Sequence, residues 1–173
     1  MVAIETATGY EEDQALALGA AVEGDSEHTI ARGIRRSAEE RKLIQLSVTD
    51  FEAIKGRGAR ARWDGREVYI GGPRLLEMLE LALPAELASF EQQASARGQS
   101  SVYLIVDHQV AAGFALADVI RAESQRAVQV LHKMGIQVAM LTGDSQAVAA
   151  AVAQDLGIDV FFAEVLPEHK DHK

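Results

Sequence analysis

The stretch "GARARWDGREVYIGG", Gly58 to Gly72, decides the fold. Small residues alternate with arginines ahead of Asp64-Gly65, and alternation resumes beyond it. A period of two sends successive side chains to opposite faces of an extended chain, so each run is a strand with one apolar face. Asp-Gly between two such runs predicts a hairpin, because both central residues of its tight turn need positive φ. "KGRG", Lys55 to Gly58, is a second glycine turn, and the strand-like run "LIQLSVTDFEAI" from Leu43 precedes it. An antiparallel sheet is the expected centre of this region.

Outward from that sheet the punctuation is clear. Pro73 suits the first turn of a short helix, Arg74 to about Glu80, and Pro84 opens another that ends near Gly98. "SVYLIVD" and "QVAAGFALA" predict a further hairpin around Asp107-His108. Toward the N-terminus, Thr8 and Glu11 have capping-box spacing ahead of a helix that reaches about Glu23 and is broken at Gly24. Asp25 or Ser26 then caps a second helix, in which Ile30 and Ile34 form an i, i+4 apolar pair while Arg32, Arg35 and Arg36 point elsewhere.

After Asp118 the pattern changes. A helix from about Arg121 to Met134 is closed by Gly135, followed by the run "IQVAML", expected to be buried, the loop "TGDS", a helix closed by Gly157, and "IDVFFA". Strand, helix, strand, helix, strand predicts a parallel sheet with right-handed crossovers. A boundary is expected near Gly113, with an antiparallel α+β unit at 1–113 and the beginning of a doubly wound α/β unit at 114–173.

The chain has 173 residues, 48% of them hydrophobic and 25% charged, enough for one core or two modest ones. Its net charge of −9 argues against a nucleic-acid duplex or an anionic membrane as partner. Within this acidic chain, Arg32 to Arg74 holds 11 Lys or Arg against 6 Asp or Glu, a local site for something anionic. There is no cysteine, hence neither disulfide nor thiolate metal site. The N-terminal residues carry no secretory pattern, and no apolar run approaches the roughly 18 residues of a membrane span, so a soluble, cytoplasmic piece is expected.

Three stretches carry candidate chemistry. Ligands of parallel α/β sheets sit beyond the carboxyl ends of strands, where Thr142, Gly143 and Asp144 fall. A hydroxyl, a bare main chain and a carboxylate there suit phosphate and magnesium, though the same triplet also makes an ordinary strand-to-helix turn. Gly56 and Gly58 are either a tight turn or main chain left bare for an anion, with Lys55, Arg57, Arg60 and Arg62 alongside; a dinucleotide fingerprint fails, since no helix follows. His28 is either a plain helix-start residue or a ring that stacks on a purine, with Glu23 near enough in a helical hairpin to accept a proton from an exocyclic amine. Glu168, His169 and His172 have the spacing of a weak metal site but read better as a charged tail, so no metal-ligating residues are assigned.

Taken together, "EGDSEHTIA", "KGRG", "YIGGPRLL", "ALADVIRAES", "GIQVAMLTGDS" and "AEVLPEHK" occur in an order that resembles the heavy-metal-transporting P-type ATPases, most closely the copper and silver pumps. The resemblance spans nearly the whole chain. It implies an α+β nucleotide-binding domain, an antiparallel sheet with flanking helical hairpins, followed by part of an α/β phosphorylation domain of haloacid-dehalogenase-like, Rossmann-like fold. It further implies that Glu23 and His28 recognise adenine, that Gly56, Gly58 and Gly71 line the nucleotide cleft, and that Thr142, Gly143 and Asp144 lie near the γ-phosphate and magnesium. Lys170 matches the family's phosphoryl-approaching lysine, and Asp118 with Arg121 matches an interdomain hinge element.

Two departures from the family pattern stand out: Thr29 follows His28 where the family has proline, and Gly72 replaces an asparagine. No Asp-Lys-Thr-Gly sequence occurs, so the phosphorylated aspartate is expected outside this chain. The expectation is therefore a cytoplasmic module of an integral membrane protein that binds ATP and Mg2+ without turnover, with the actuator and membrane domains of the parent pump as partners and no direct membrane contact of its own. Competing classes are a haloacid-dehalogenase-like phosphatase, which needs an Asp-x-Asp after a first strand that is lacking here, and a non-catalytic nucleotide- or protein-interaction domain.

Overall fold

The computed structural model describes residues 2–24, 26, 29–117 and 122–165. The chain divides into two units, Met1–Gln93 with Ser101–Leu116, and Ala94–Ser100 with Ala117–Lys173. In the first, the elements run β1 (Val2–Thr6), α1 (Glu12–Val22), α2 (Thr29–Glu40), β2 (Thr49–Ile54), β3 (Gly58–Trp63), β4 (Arg66–Gly71), α3 (Pro73–Met78), α4 (Ala85–Ala96), β5 (Gln99–Val106) and β6 (Gln109–Ala117). The last residues of α4 and the first of β5 belong to the second unit. The strands form one sheet in the order β1-β6-β5-β4-β3-β2.

The expected hairpin is present. Asp64 and Gly65 have φ of 52° and 78°, and β3 pairs antiparallel with β4 from Gly58↔Gly71 to Trp63↔Arg66. The turn at Asp107 and His108 has the same signature, φ 47° and 65°. Ala59 and Ala61 are buried while Arg60 and Arg62 are exposed, as alternation requires. In β5 all of Val102 to Val106 are buried, because helices cover both faces there. Val102, Leu104 and Val106 meet Leu16, Val22 and Ile34, whereas Tyr103 and Ile105 meet Leu75, Leu76 and Leu87. Each large aliphatic side chain so enclosed contributes about 1.5–3 kcal/mol.

Several local expectations change. Leu43 to Val48 is irregular, although Leu43, Leu46 and Val48 still pack on the core, and the strand begins only at Thr49. β1 was invisible in the sequence and exists through pairing with β6, Val2↔Leu116 to Thr6↔Ala112. The capping box does not form. Glu11 is the N-cap of α1 without a side-chain bond, and Thr8 instead donates from its N–H and Oγ1 to Glu86 Oε1, each at 3.4 Å. That contact lowers the Glu86 carboxyl, after a larger effect of its own backbone N–H.

The second unit holds α5 (Ala122–Lys133), β7 (Ala139–Leu141), α6 (Gln146–Leu156) and β8 (Val160–Phe162). β7 and β8 pair in parallel, joined through α6, but "QVAAGFALA" is β6 of the antiparallel sheet and no third parallel strand occurs among the described residues. The run 136–141 is also less buried than expected: Ile136 is 44% exposed, since a two-stranded sheet has too few neighbours to cover it. Gly135 and Gly157 end their helices with φ of 76° and 72°, as the sequence predicts. Asp159 ties this unit together, accepting from Val138 N–H at 2.7 Å and lying 2.9 Å from His132 Nε2.

Candidate functional site

The α1–α2 corner carries Glu23. It follows the last turn of α1, is only 9% exposed, and donates its N–H to Gly19 O at 3.1 Å. Arg35 of α2 reaches back over the loop, where its Nη1 donates to the carbonyls of Glu23 and, at 2.8 Å, of Ser26. A guanidinium offers several donors in a rigid fork, which suits two carbonyls of one loop. Sequence reasoning placed Arg35 with the outward-facing arginines. Its role as the clamp of this corner had no local signal, because the acceptors are backbone atoms 9 and 12 residues away. His28 and Asp25 lie outside the described residues.

The three glycines of the expected cleft separate into two kinds. Gly58 and Gly71 are register partners of β3 and β4. A Cβ on Gly58, at φ +145°, would stand 2.0 Å from Ile70 O, and one on Gly71 would stand 2.1 Å from Arg57 O. Glycine at both positions is thus demanded by the close approach of two main chains. Gly56 differs: its φ is +71° and, apart from its chain neighbours, no heavy atom of the described residues lies within 4 Å of where a Cβ would be. It leaves main chain open beside the exposed Lys55 and Arg57. At the other end of the same region, a Cβ on Gly19, one turn before Glu23, would meet Phe114 at 3.2 Å and Ile70 at 3.5 Å, so α1 runs close against β4 next to Gly71.

The arginines expected to attract an anion are mostly engaged. Arg60 Nη2 lies 2.6 Å from Glu52, and Arg62 Nε lies 3.9 Å from Asp50. Arg66 holds Asp107 at 2.6 Å, and Arg41 reaches Glu12 at 2.7 Å and Asp13 at 2.9 Å. Hydrogen bonds to these carboxylates raise the guanidinium pKa of Arg41, Arg60 and Arg66, Asp13 being the larger partner of Arg41. The local positive excess is therefore offset partly by acids outside the segment. Trp63 and Tyr10 are partly buried and pack against the core.

The second candidate set stands at the carboxyl end of β7. Thr142 Oγ1 donates to Asp144 Oδ2 at 2.6 Å and accepts from Asp144 N–H at 3.1 Å. Thr142 N–H bonds Phe162 O at 2.9 Å, which anchors the loop to β8. Ser100 Oγ approaches Asp144 Oδ1 at 3.4 Å, and Ser145 caps α6 by accepting from Val148 N–H, also at 3.4 Å. The triplet is a well-built strand-to-helix turn whose carboxylate is exposed, so the two readings of "TGDS" are compatible. Among the described residues no three His, Cys, Asp or Glu side chains converge on a metal position. One carboxylate nevertheless fits magnesium, which uses one or two carboxylates together with substrate phosphates and water. Lys170, Asp118, Arg121 and the Glu168, His169 and His172 tail lie outside the described residues.

The sequence model of the haloacid dehalogenase-like hydrolases matches residues 3–173. A "Probable copper-exporting P-type ATPase V" of Mycobacterium tuberculosis is 41% identical over 158 residues, 91% of this chain and 20% of that protein. Among solved structures, a zinc-transporting PIB-type ATPase in an E2.Pi state shares 33% identity and a TM-score of 0.63, over 96% of this chain and 26% of the other. The catalytic domain of the CPx-ATPase CopB-B has a TM-score of 0.70 at 21% identity over 98% of this chain and 58% of that one, a likeness of fold. The chain spans about a fifth of the length of the curated relatives that it matches.

Proposed function

Because this chain belongs to the haloacid dehalogenase-like hydrolases and resembles P-type ATPases, we propose that it is the ATP-binding module of a heavy-metal-translocating pump, probing the cytoplasm rather than the membrane. Copper is the favoured cargo on the relatives' names, with silver as the close chemical alternative and zinc represented among the structural neighbours. In this reading residues 1–113 form the nucleotide-binding domain and 114–173 part of the phosphorylation domain. The remaining pump domains, actuator and membrane, are its partners.

The observation that carries the reading is the arrangement of the first unit. A buried glutamate is held at the end of α1 by Arg35, and α1 packs beside the strand that ends in Gly71. The loop before Gly58 presents bare main chain at Gly56. Glu23 would accept from the adenine amine, with His28 against the ring. Gly56 would let phosphates approach amide N–H groups, and the close main-chain approach at Gly58 and Gly71 would fix β3 against β4 beside that turn. Thr142, Gly143, Asp144 and Lys170 would face the transferred phosphoryl group, with Asp144 as the one carboxylate for Mg2+.

The 173 residues contain no Asp-Lys-Thr-Gly, so the chain should bind ATP without turning it over; in-line transfer needs a nucleophile that it does not supply. Within these 173 residues no Asp-x-Asp supports a phosphatase reading. The test is a titration with ATP, ADP and GTP followed by amide shifts. Saturable binding of the adenine nucleotides, with shifts at Glu23 and around Gly56, is expected. Equal affinity for GTP, or unchanged affinity in His28→Ala, would remove the adenine assignment.

A further inference from the structure

The sheet face that packs α3 and α4 carries a groove of about 490 Å3, within the range of small-ligand sites. Leu76 and Leu81 give it an apolar wall, and Glu77, Glu80 and Glu91 line it with three carboxylates; among the described residues no lysine or arginine lines it. Tyr103 also lines it. That residue is fully buried, and its hydroxyl makes no hydrogen bond among the described residues. Buried tyrosine hydroxyls nearly always have a partner, so this one marks a place where a polar atom belongs. Burial, and then the charge of Glu91, push the hydroxyl up to about 12, with Ser101 opposing without meeting hydrogen-bond geometry. It therefore stays a neutral phenol with lone pairs to offer.

We propose that this groove binds a small organic ammonium ion, its apolar body against Leu76 and Leu81 and its cationic head among Glu77, Glu80, Glu91 and the Tyr103 hydroxyl. An ammonium group has three donors and no acceptor, which matches a surround of carboxylates and a phenol oxygen. Anions, ATP among them, are repelled from the same place. The site is independent of the nucleotide reading.

The probe is phenethylammonium chloride, titrated into the 173-residue chain and followed by amide shifts, with 2-phenylethanol and 3-phenylpropionate as neutral and anionic counterparts. Saturable shifts clustered at Leu76, Leu81 and Tyr103 are expected, with the alcohol bound about tenfold more weakly and no response to the acid. Combined Glu77→Gln and Glu91→Gln substitution should raise Kd about tenfold. Tyr103→Phe should weaken binding without lowering Tm, a split that a merely structural tyrosine would not show. Equal binding of the alcohol, shifts spread over the acidic surface, or no saturation overturns the proposal. Saturation by acetyl-Leu-Lys-amide but not by phenethylammonium also overturns it, assigning the groove to a partner's basic segment. ATP run in parallel should shift a different set of residues, so either reading can fail alone.

Discussion

Replacing Gly58 by alanine tests the account of the glycine pair most directly. The new Cβ would stand 2.0 Å from Ile70 O and 2.8 Å from Gly71 Cα, where ordinary contact begins at 3.4 Å. β3 must then move away from β4 by more than an ångström at its first register pair. Forcing alanine to positive φ costs roughly 1–3 kcal/mol. Overpacking against immovable main chain adds roughly 1–3 kcal/mol. A total of about 2–6 kcal/mol is a large share of the 5–15 kcal/mol typical of a domain. Gly56→Ala is the control: it meets nothing within 4 Å and bears only the left-handed backbone cost, roughly 1–2 kcal/mol. Urea unfolding followed by the fluorescence of Trp63, the single tryptophan and a β3 residue, reads the sheet directly. The midpoint should fall several-fold further for Gly58→Ala than for Gly56→Ala, whereas Gly56→Ala should weaken ATP binding while the fold persists. Equal destabilisation by the two substitutions would refute the argument from main-chain approach.

Other expectations are more local. Arg35→Ala removes charge-assisted bonds to two carbonyls of the α1–α2 loop, so stability should drop by about 2 kcal/mol and ATP affinity with it; unchanged amide shifts at Glu23 and Ser26 would show that the clamp is unimportant. Ser145→Ala deletes the α6 cap and should cost about 1 kcal/mol, visible as faster amide exchange in the first turn of α6. The Asp159 carboxyl is held below its ordinary 3.8, first by Val138 N–H and then by His132. Its stabilising contribution is therefore complete above pH 3.8 and lost as pH falls through the lower folded value. A carboxyl-detected NMR titration should show Asp159 moving below 3.8, and Asp159→Asn should abolish that acid-side loss; a titration at the ordinary value would contradict the contact.

The legible parts of this chain are those whose cause is local. Asp64-Gly65, Pro73, Gly135 and Gly157 each impose a backbone requirement within a few residues, and each sits where its chemistry predicts. Alternation through β3 and the Ile30, Ile34 pair likewise declare their buried faces. β1 is short, has an edge position and pairs with residues more than 100 positions away, so periodicity had nothing to register. Thr8 looked like a helix cap because the spacing to Glu11 allows one; Glu86, 78 residues on, competes successfully for its hydroxyl. At the candidate site, Glu23 and the glycines are candidates that the sequence itself offers, whereas the bonds from Arg35 to the α1–α2 loop have no local signal.

Residue order alone determined the hairpins, the helix ends, the change from antiparallel to parallel grammar, and the absence within the chain of a phosphoryl-accepting Asp-Lys-Thr-Gly. Those properties follow from short-range sterics and from the presence or absence of particular side chains. Tertiary structure decided which glycines are spent on main-chain contact and which stays open, which arginines are already paired, and that one of them clamps the loop after α1. The register of β3 on β4 and the packing of α2 over α1 bring distant atoms within hydrogen-bonding or clashing distance, and no local pattern specifies distances of that kind.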